Sequence, residues 1–357
     1  MFRTRPLLHL HPSHAFIGLL IGSCAAGSAA LFAKISPLDP IITAFWRFAL
    51  ATPVFLLLLA LPMARGHPGA HPGRHHNGHS GSTLTTPSQH TPSSKQVWPQ
   101  NIKDWGLMAL AGVCFAVSQI LWFLGLEHSS VANATLLLAL TPIIAGLILG
   151  SLFGEPIGRR FWAGMVCALC GIAGLTMMSS QAPGLMLYGD LLCLGAAICL
   201  SGYFISLSRL RRRFHAVPVM SLSAVACTVI LLVVTLIHAP VIESTPIWPT
   251  NAYGWWVVVG LALVSQLFGH GLMTLSIGFL ASRLAAVSVL IQPVWASALG
   301  WWLLGEALTV TAIISGIFVL IGIWLANQGT TQSTASHTKG ATTSLKKTVS
   351  EQKTFTS

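Results

Sequence analysis

The run TAFWRFALATPVFLLLLALP, from Thr43 to Pro62, is apolar enough to cross a bilayer and holds one charge, Arg47. A guanidinium stays charged at any physiological pH. At the centre of a membrane helix it costs about 2.5–3.5 kcal/mol on insertion scales, and less near an edge. Arg47 sits roughly seven residues into its run, about 10 Å deep by helical rise. Two roles stand open. It is either a snorkelling anchor that reaches Asp39 or the headgroups, or a cavity-facing cation that attracts anionic solutes or gates the mouth.

Gln119, Gln266 and His270 are further polar groups well inside apolar runs. Such groups are either satisfied by neighbouring helices or line a cavity. Of the three, His270 titrates near neutrality, which makes it the candidate proton relay. Trp122, Tyr203, Gln292 and Trp295 are candidates for lining the same cavity, with ordinary core packing as the alternative. Trp255–Trp256, at the end of a run, reads as an interfacial anchor.

Pro142 and Pro293 each remove a helix hydrogen bond and favour a kink, serving as hinges or as packing features. Small residues beside them (Ala145, Gly146; Ala296, Ser297, Ala298) favour close helix contact. Glu155 and Glu306 lie at the ends of runs, where a carboxylate acts as a structural cap or clamp. Proton coupling is the alternative for this pair.

Enzyme signatures are missing. The sequence holds no Walker A, no G-x-S-x-G and no H-E-x-x-H. The eight acidic residues (Asp39, Asp104, Glu127, Glu155, Asp190, Glu243, Glu306, Glu351) are scattered singly rather than clustered. No catalytic residue, cofactor or metal site is therefore assigned. Cys167 and Cys170 form a C-x-x-C with no second ligand pair, so the cysteines read as ordinary buried residues. His67, His71, His75, His76, His79 and His90 are irregularly spaced and read as a solvated linker rather than zinc ligands.

These groups must be positioned by membrane-spanning elements. Charged residues are 8% of the 357 and hydrophobic ones 54%, with mean hydropathy +0.74. A soluble protein carries roughly 25% charge, so this chain could not cover a water-facing surface. Ten apolar runs fall at about 14–35, 40–63, 104–125, 131–152, 159–179, 186–208, 216–239, 253–276, 282–304 and 308–327. Continuous runs of this length predict helices rather than a β-barrel. The first run, with Arg3, Arg5 and a small-residue patch, is similar to a signal peptide. It is long for one and has a counterpart later, so it is read as a span.

Placing the N-terminus inside puts seventeen Lys and Arg residues on the inner side (Arg3, Arg5; Arg65, Arg74, Lys95, Lys103; Arg159, Arg160; Arg209, Arg211, Arg212, Arg213; Arg283; Lys339, Lys346, Lys347, Lys353), and only Lys34 outside. This positive-inside bias places both termini in the cytoplasm, and the inner (plasma) membrane is the expected location. The bias also accounts for the net charge of +11 without nucleic acid. Residues 1–13 form the cytoplasmic N-terminus. A low-complexity loop at 66–99 and a tail at 328–357 read as disordered.

The halves repeat. TPIIAGLILGSLFGE (Thr141–Glu155) matches QPVWASALGWWLLGE (Gln292–Glu306), with the same spacing from Pro142 to Glu155 as from Pro293 to Glu306. Gly171 and Gly322 follow sixteen residues later in both. Five spans per half is an odd number, so the second half must sit inverted. The expected fold is all-α integral membrane, with ten transmembrane helices as two inverted five-helix repeats at 14–179 and 186–327.

Two such repeats, each ending P…GE…G…G, with WRF early in the second span, resemble the EamA-type drug/metabolite transporters. The resemblance covers residues 14–327. It implies a carrier of small organic metabolites, with a central cavity lined mainly by spans 1, 3, 4, 6, 8 and 9. The reading is a secondary transporter working by alternating access, with export the preferred direction. The alternatives are a metal-ion carrier using the His-rich loop, and a membrane-embedded enzyme. Its partners are the lipid bilayer and a small-molecule solute, with no nucleic acid; a homodimer stays open.

Overall fold

The computed structural model describes residues 12–60, 99, 101–153, 158–177, 183–214, 216–238, 246–273, 290–307, 309–326 and 328. The described residues are almost wholly helical, without strands. Among the described residues, seven helical stretches are long and apolar enough to cross a membrane. Nearly all of the His-rich loop, the tail and Glu155 lie outside the described residues.

The helices are α1 (Pro12–Gly27), α2 (Ala29–Lys34), α3 (Pro40–Ala60), α4 (Ile102–His128), α5 (Val131–Leu138), α6 (Thr141–Phe153), α7 (Arg159–Met177), α8 (Pro183–Arg213), α9 (Ala216–His238) and α10 (Ala252–Gly260). The last continues as a π-helical stretch, Leu261–His270. Two more follow: α11 (Ile291–Leu304) and α12 (Val310–Ala326).

Local chemistry sets several boundaries. Asp39 Oδ1 accepts the Ile41 amide at 2.8 Å, and Pro40 occupies the first helical position, where no N–H is needed. Ser130 and Asn251 cap α5 and α10 by accepting the Asn133 and Gly254 amides. The predicted run 131–152 is broken at Ala139–Leu140, just before Pro142. A proline ring clashes with the carbonyl four residues back. That carbonyl, of Leu138, instead accepts the Thr141 hydroxyl at 2.6 Å. Pro293 falls in the first turn of α11.

Every long helix carries exposed large apolar side chains, such as Leu57, Val166, Ile198, Leu236 and Trp302. That exterior suits lipid rather than water. Inside, Phe48, Phe123, Leu126, Val131, Leu231, Leu261 and Ile323 belong to one buried cluster.

The halves, α1–α7 and α8–α12, interdigitate. Across the boundary α4 lies against α8 and α9, while the π-helical stretch lies against α1 and α3. In the same way α11 packs on α1, and α6 on α8. The pair α3–α9 joins corresponding helices directly. Exchanging the halves maps this set of neighbours onto itself.

The α7–α12 crossing obeys the same exchange residue by residue. In the sequence register that pairs Pro142 with Pro293, Gly171 answers to Gly322 and Gly164 to Ser315. A Cβ on Gly164 would lie 2.5 Å from the Gly322 carbonyl oxygen, and one on Gly171 2.6 Å from that of Ser315. The contacts run in opposite directions along the two helices, so α7 and α12 are antiparallel. Only glycine permits so close an approach of two backbones.

Candidate functional site

Residues Trp46, Arg47 and Phe48 sweep about 200° around α3, because successive helical residues differ by roughly 100°. All three are buried, since α3 is surrounded by α4, α9 and the π-helical stretch. The Trp46 indole donates to the Ile247 carbonyl at 2.8 Å and packs on Trp248 and Trp255. Phe48 meets Phe115 edge-on at 5.3 Å. Arg47 is left pointing between them into the interior, 3% exposed.

Its Nη1 donates to Gln119 Oε1 on α4 at 3.2 Å, and Nη2 to Ser265 Oγ on the π-helical stretch at 3.4 Å. Ser265 Oγ donates in turn to the Ala26 carbonyl of α1 at 3.3 Å. His270 Nδ1 lies 2.9 Å from the Ser265 carbonyl, which only accepts, so that nitrogen carries the proton. Arg47 Nε has no hydrogen-bond partner among the described residues. The guanidinium thus joins α3 and α4 of one half to the π-helical stretch of the other. It does not run outward to Asp39, whose Oδ1 is taken by α3 and whose Oδ2 lies 3.6 Å from His238 Nε2.

The structure brings Arg47, Gln119 and His270 together through Ser265. Gln266 is next in the chain, 4% exposed, and its Oε1 has no partner among the described residues. Trp122, one turn beyond Gln119, is also buried with an unpartnered indole nitrogen. Gln292 and Trp295 lie on α11, which packs on α1. Gln292 Nε2 is 3.1 Å from Met273 Sδ, and Trp295 Nε1 donates to Ser28 Oγ at 3.1 Å. Tyr203 is one ring removed from Phe48, through Phe115. It stacks on Phe115 at 4.5 Å, in a separate cluster with Met108, Leu210 and Phe214.

A second polar group lies where α4 ends. Lys34 Nζ donates to the Leu126 and Ser129 carbonyls at 2.7 and 2.8 Å, a cation at a helix C-terminus. Ser129 Oγ donates to Asp190 Oδ1 on α8 at 2.6 Å. Both oxygens of Glu306 accept the Val131 amide, at 3.0 and 3.1 Å, at the N-terminus of α5. Gly305, at φ 66°, turns the chain so that the Glu306 amide bonds back to the Gly300 carbonyl. The Gly-Glu pair is therefore a left-handed helix stop followed by a carboxylate clamp between the halves. Sequence reasoning missed Lys34, Ser129 and Asp190 as one group. The available signal was Asp190 itself, a lone carboxylate in an apolar run, as conspicuous as Arg47.

All seven cysteines are free. Among the described residues, no group of three or more His, Cys, Asp or Glu is placed to hold a metal ion.

The model of the EamA-like transporter family matches residues 85–177 and again 187–328. An uncharacterized transporter of Bacillus subtilis, YwfM, is 24% identical over 62% of this chain and 74% of its own length. The pseudopaline exporter CntI of Pseudomonas aeruginosa is 22% identical over 60% of this chain and 72% of that protein. An S-adenosylmethionine/S-adenosylhomocysteine transporter of Chlamydia trachomatis is 26% identical over 60% and 68%. A solved crystal structure shares the fold with a TM-score of 0.54, at 19% identity, over 88% of this chain and 96% of that one.

Proposed function

The chain belongs to the EamA-like transporter family, and we propose on that premise that it moves small organic metabolites by alternating access between two inverted five-helix halves. In this reading ten helices span the membrane, at 14–179 and 186–327, with both termini cytoplasmic. The inner (plasma) membrane is the site and export is the preferred direction. No enzyme activity is assigned.

The observation that carries the reading is the Arg47–Gln119–Ser265 group. Its members come from both halves, and polar groups are placed at such a depth in a bilayer at a cost. Rocking of one half against the other would open this group to each side in turn. The exchange symmetry of the cross-half contacts supports the inverted arrangement. Helices α7, α11 and α12, which fall within the predicted runs outside the seven long spans, support the count of ten. Lys34, Ser129, Asp190 and Glu306 would close the end that the Lys/Arg distribution assigns to the outside. Opening that end would break these contacts. The metal-carrier and membrane-enzyme alternatives have no comparable group among the described residues.

The test is counterflow in liposomes holding the purified protein. S-Adenosylmethionine, S-adenosylhomocysteine and pseudopaline are the first solutes to load, since related proteins are named for them. Trans-stimulated uptake that vanishes on permeabilising the vesicles supports a carrier. Chemical conversion of a solute without compartments would replace it with an enzyme. Zinc uptake that depends on the His-rich loop would replace it with a metal carrier.

A further inference from the structure

Arg47 is a buried cation whose hydrogen-bond partners in the structure, Gln119 and Ser265, are neutral. A guanidinium has five donors in a rigid planar fork, and here Nε is left unpartnered among the described residues. The Asp104 and Asp39 carboxylates face Arg213 and His238 instead. Both hydrogen bonds of Arg47 are long, at 3.2 and 3.4 Å, whereas a charge-assisted bond settles near 2.7–2.9 Å. Beyond the face of the Phe48 ring, 5.5 Å from the Arg47 Cζ, no counter-charge meets Arg47 among the described residues, and a buried charge left without one is costly.

We propose that Arg47 anchors the acidic group of the transported solute, so that the substrates are small organic anions or zwitterions bearing a carboxylate or phosphate. The proposal rests on the transport reading above and deepens it. The fork of Arg47 matches a planar carboxylate or a phosphate edge. Its position, shared between α3, α4 and the π-helical stretch, lets one bound anion touch both halves. Gln119 and Ser265 then position the guanidinium rather than neutralise it. A π-helical turn is wider than an α-helical one and recurs at functional sites. This one carries Ser265, Gln266 and His270 on a single stretch. The unpartnered Gln266 amide oxygen beside Ser265 is available to a hydroxyl or amine on the same solute.

The test uses the full chain expressed in a bacterium, with the cell's own metabolite pool as the probe, read by mass spectrometry in medium and cytosol. Four cultures are compared: empty vector, wild type, Arg47→Lys and Arg47→Gln, with protein amount and monodispersity checked for each. The solutes redistributed by wild type are expected to carry a carboxylate or phosphate. Arg47→Gln is expected to reduce their movement about tenfold or more, as when a charge-assisted bond to an ion is removed. Arg47→Lys, which keeps the charge without the fork, is expected to fall between. Redistributed solutes without an acidic group would overturn the anion assignment while leaving transport intact. So would Arg47→Gln moving acids at the wild-type rate. Because the first comparison needs no variant, it decides even if Arg47→Gln fails to fold. If wild type redistributes nothing relative to empty vector, the transport reading falls and this proposal with it.

Discussion

Replacing Glu306 by alanine should loosen the contact between the halves by an amount the geometry allows to be estimated. Its carboxylate oxygens lie 3.0 and 3.1 Å from the Val131 amide, and Val131 is fully buried. A hydrogen bond to a charged group contributes about 1.5–3 kcal/mol. Negative charge at a helix N-terminus adds about 0.3–1 kcal/mol. Glu306 is only half-buried, so water can partly replace it at the amide. We therefore expect the low end, about 1.5–2 kcal/mol, for Glu306→Ala. Glu306→Gln keeps an acceptor oxygen and loses mainly the charge, so about 0.5–1 kcal/mol is expected. Thermal melting of the purified protein in detergent should rank wild type above Glu306→Gln, and Glu306→Ala lowest. Gly305→Ala should also destabilise, because φ 66° is strained for a residue with a Cβ. Combined with Glu306→Ala its effect should be less than additive, since the turn serves to place the carboxylate. Glu306→Ala melting with wild type, or strict additivity of the pair, would refute the clamp.

The α7–α12 crossing predicts that Gly164→Ala and Gly322→Ala each cost about 1–3 kcal/mol by overpacking. Their Cβ atoms would lie 2.5 Å from backbone atoms of the facing helix. Gly106→Ala, with nothing within 4 Å, is the control and should melt no lower than wild type. With the seven native cysteines replaced, single cysteines at Ser94 and Ser208 should be labelled only from the cytoplasm, and one at Thr245 only from outside. Labelling of the first two from outside would overturn the topology and the inverted repeat with it. Deleting about residues 69–93 should leave folding and transport of organic solutes nearly intact, because a low-complexity loop adds little to the packed helices. Loss of transport at normal expression would bring the metal reading forward.

The class of this protein was legible from composition alone, because 8% charge cannot cover a water-facing surface. Seven of the ten apolar runs fall on helical stretches long enough to cross a membrane, and the spacing from proline to Gly-Glu in each half supplied the register that the α7–α12 contacts obey. Length and hydropathy are properties of the chain itself, so no partner is needed to read them. The facing of each helix was not legible. In a bilayer both the lipid side and the protein side of a helix are apolar, so periodicity does not separate them. Arg47 could thus be read as snorkelling or as inward from the same residues. Only the enclosure of α3 by α4, α9 and the π-helical stretch turned it onto Gln119 and Ser265. Tyr203 looked like Trp122 in the sequence, yet packing sent it to a different cluster. Ser129 and Lys34 looked ordinary until the end of α4 met α8 beside Asp190. A polar side chain's role here depends on which neighbours come within about 3 Å of it, and that distance is set by helices 61 to 218 residues away in the chain.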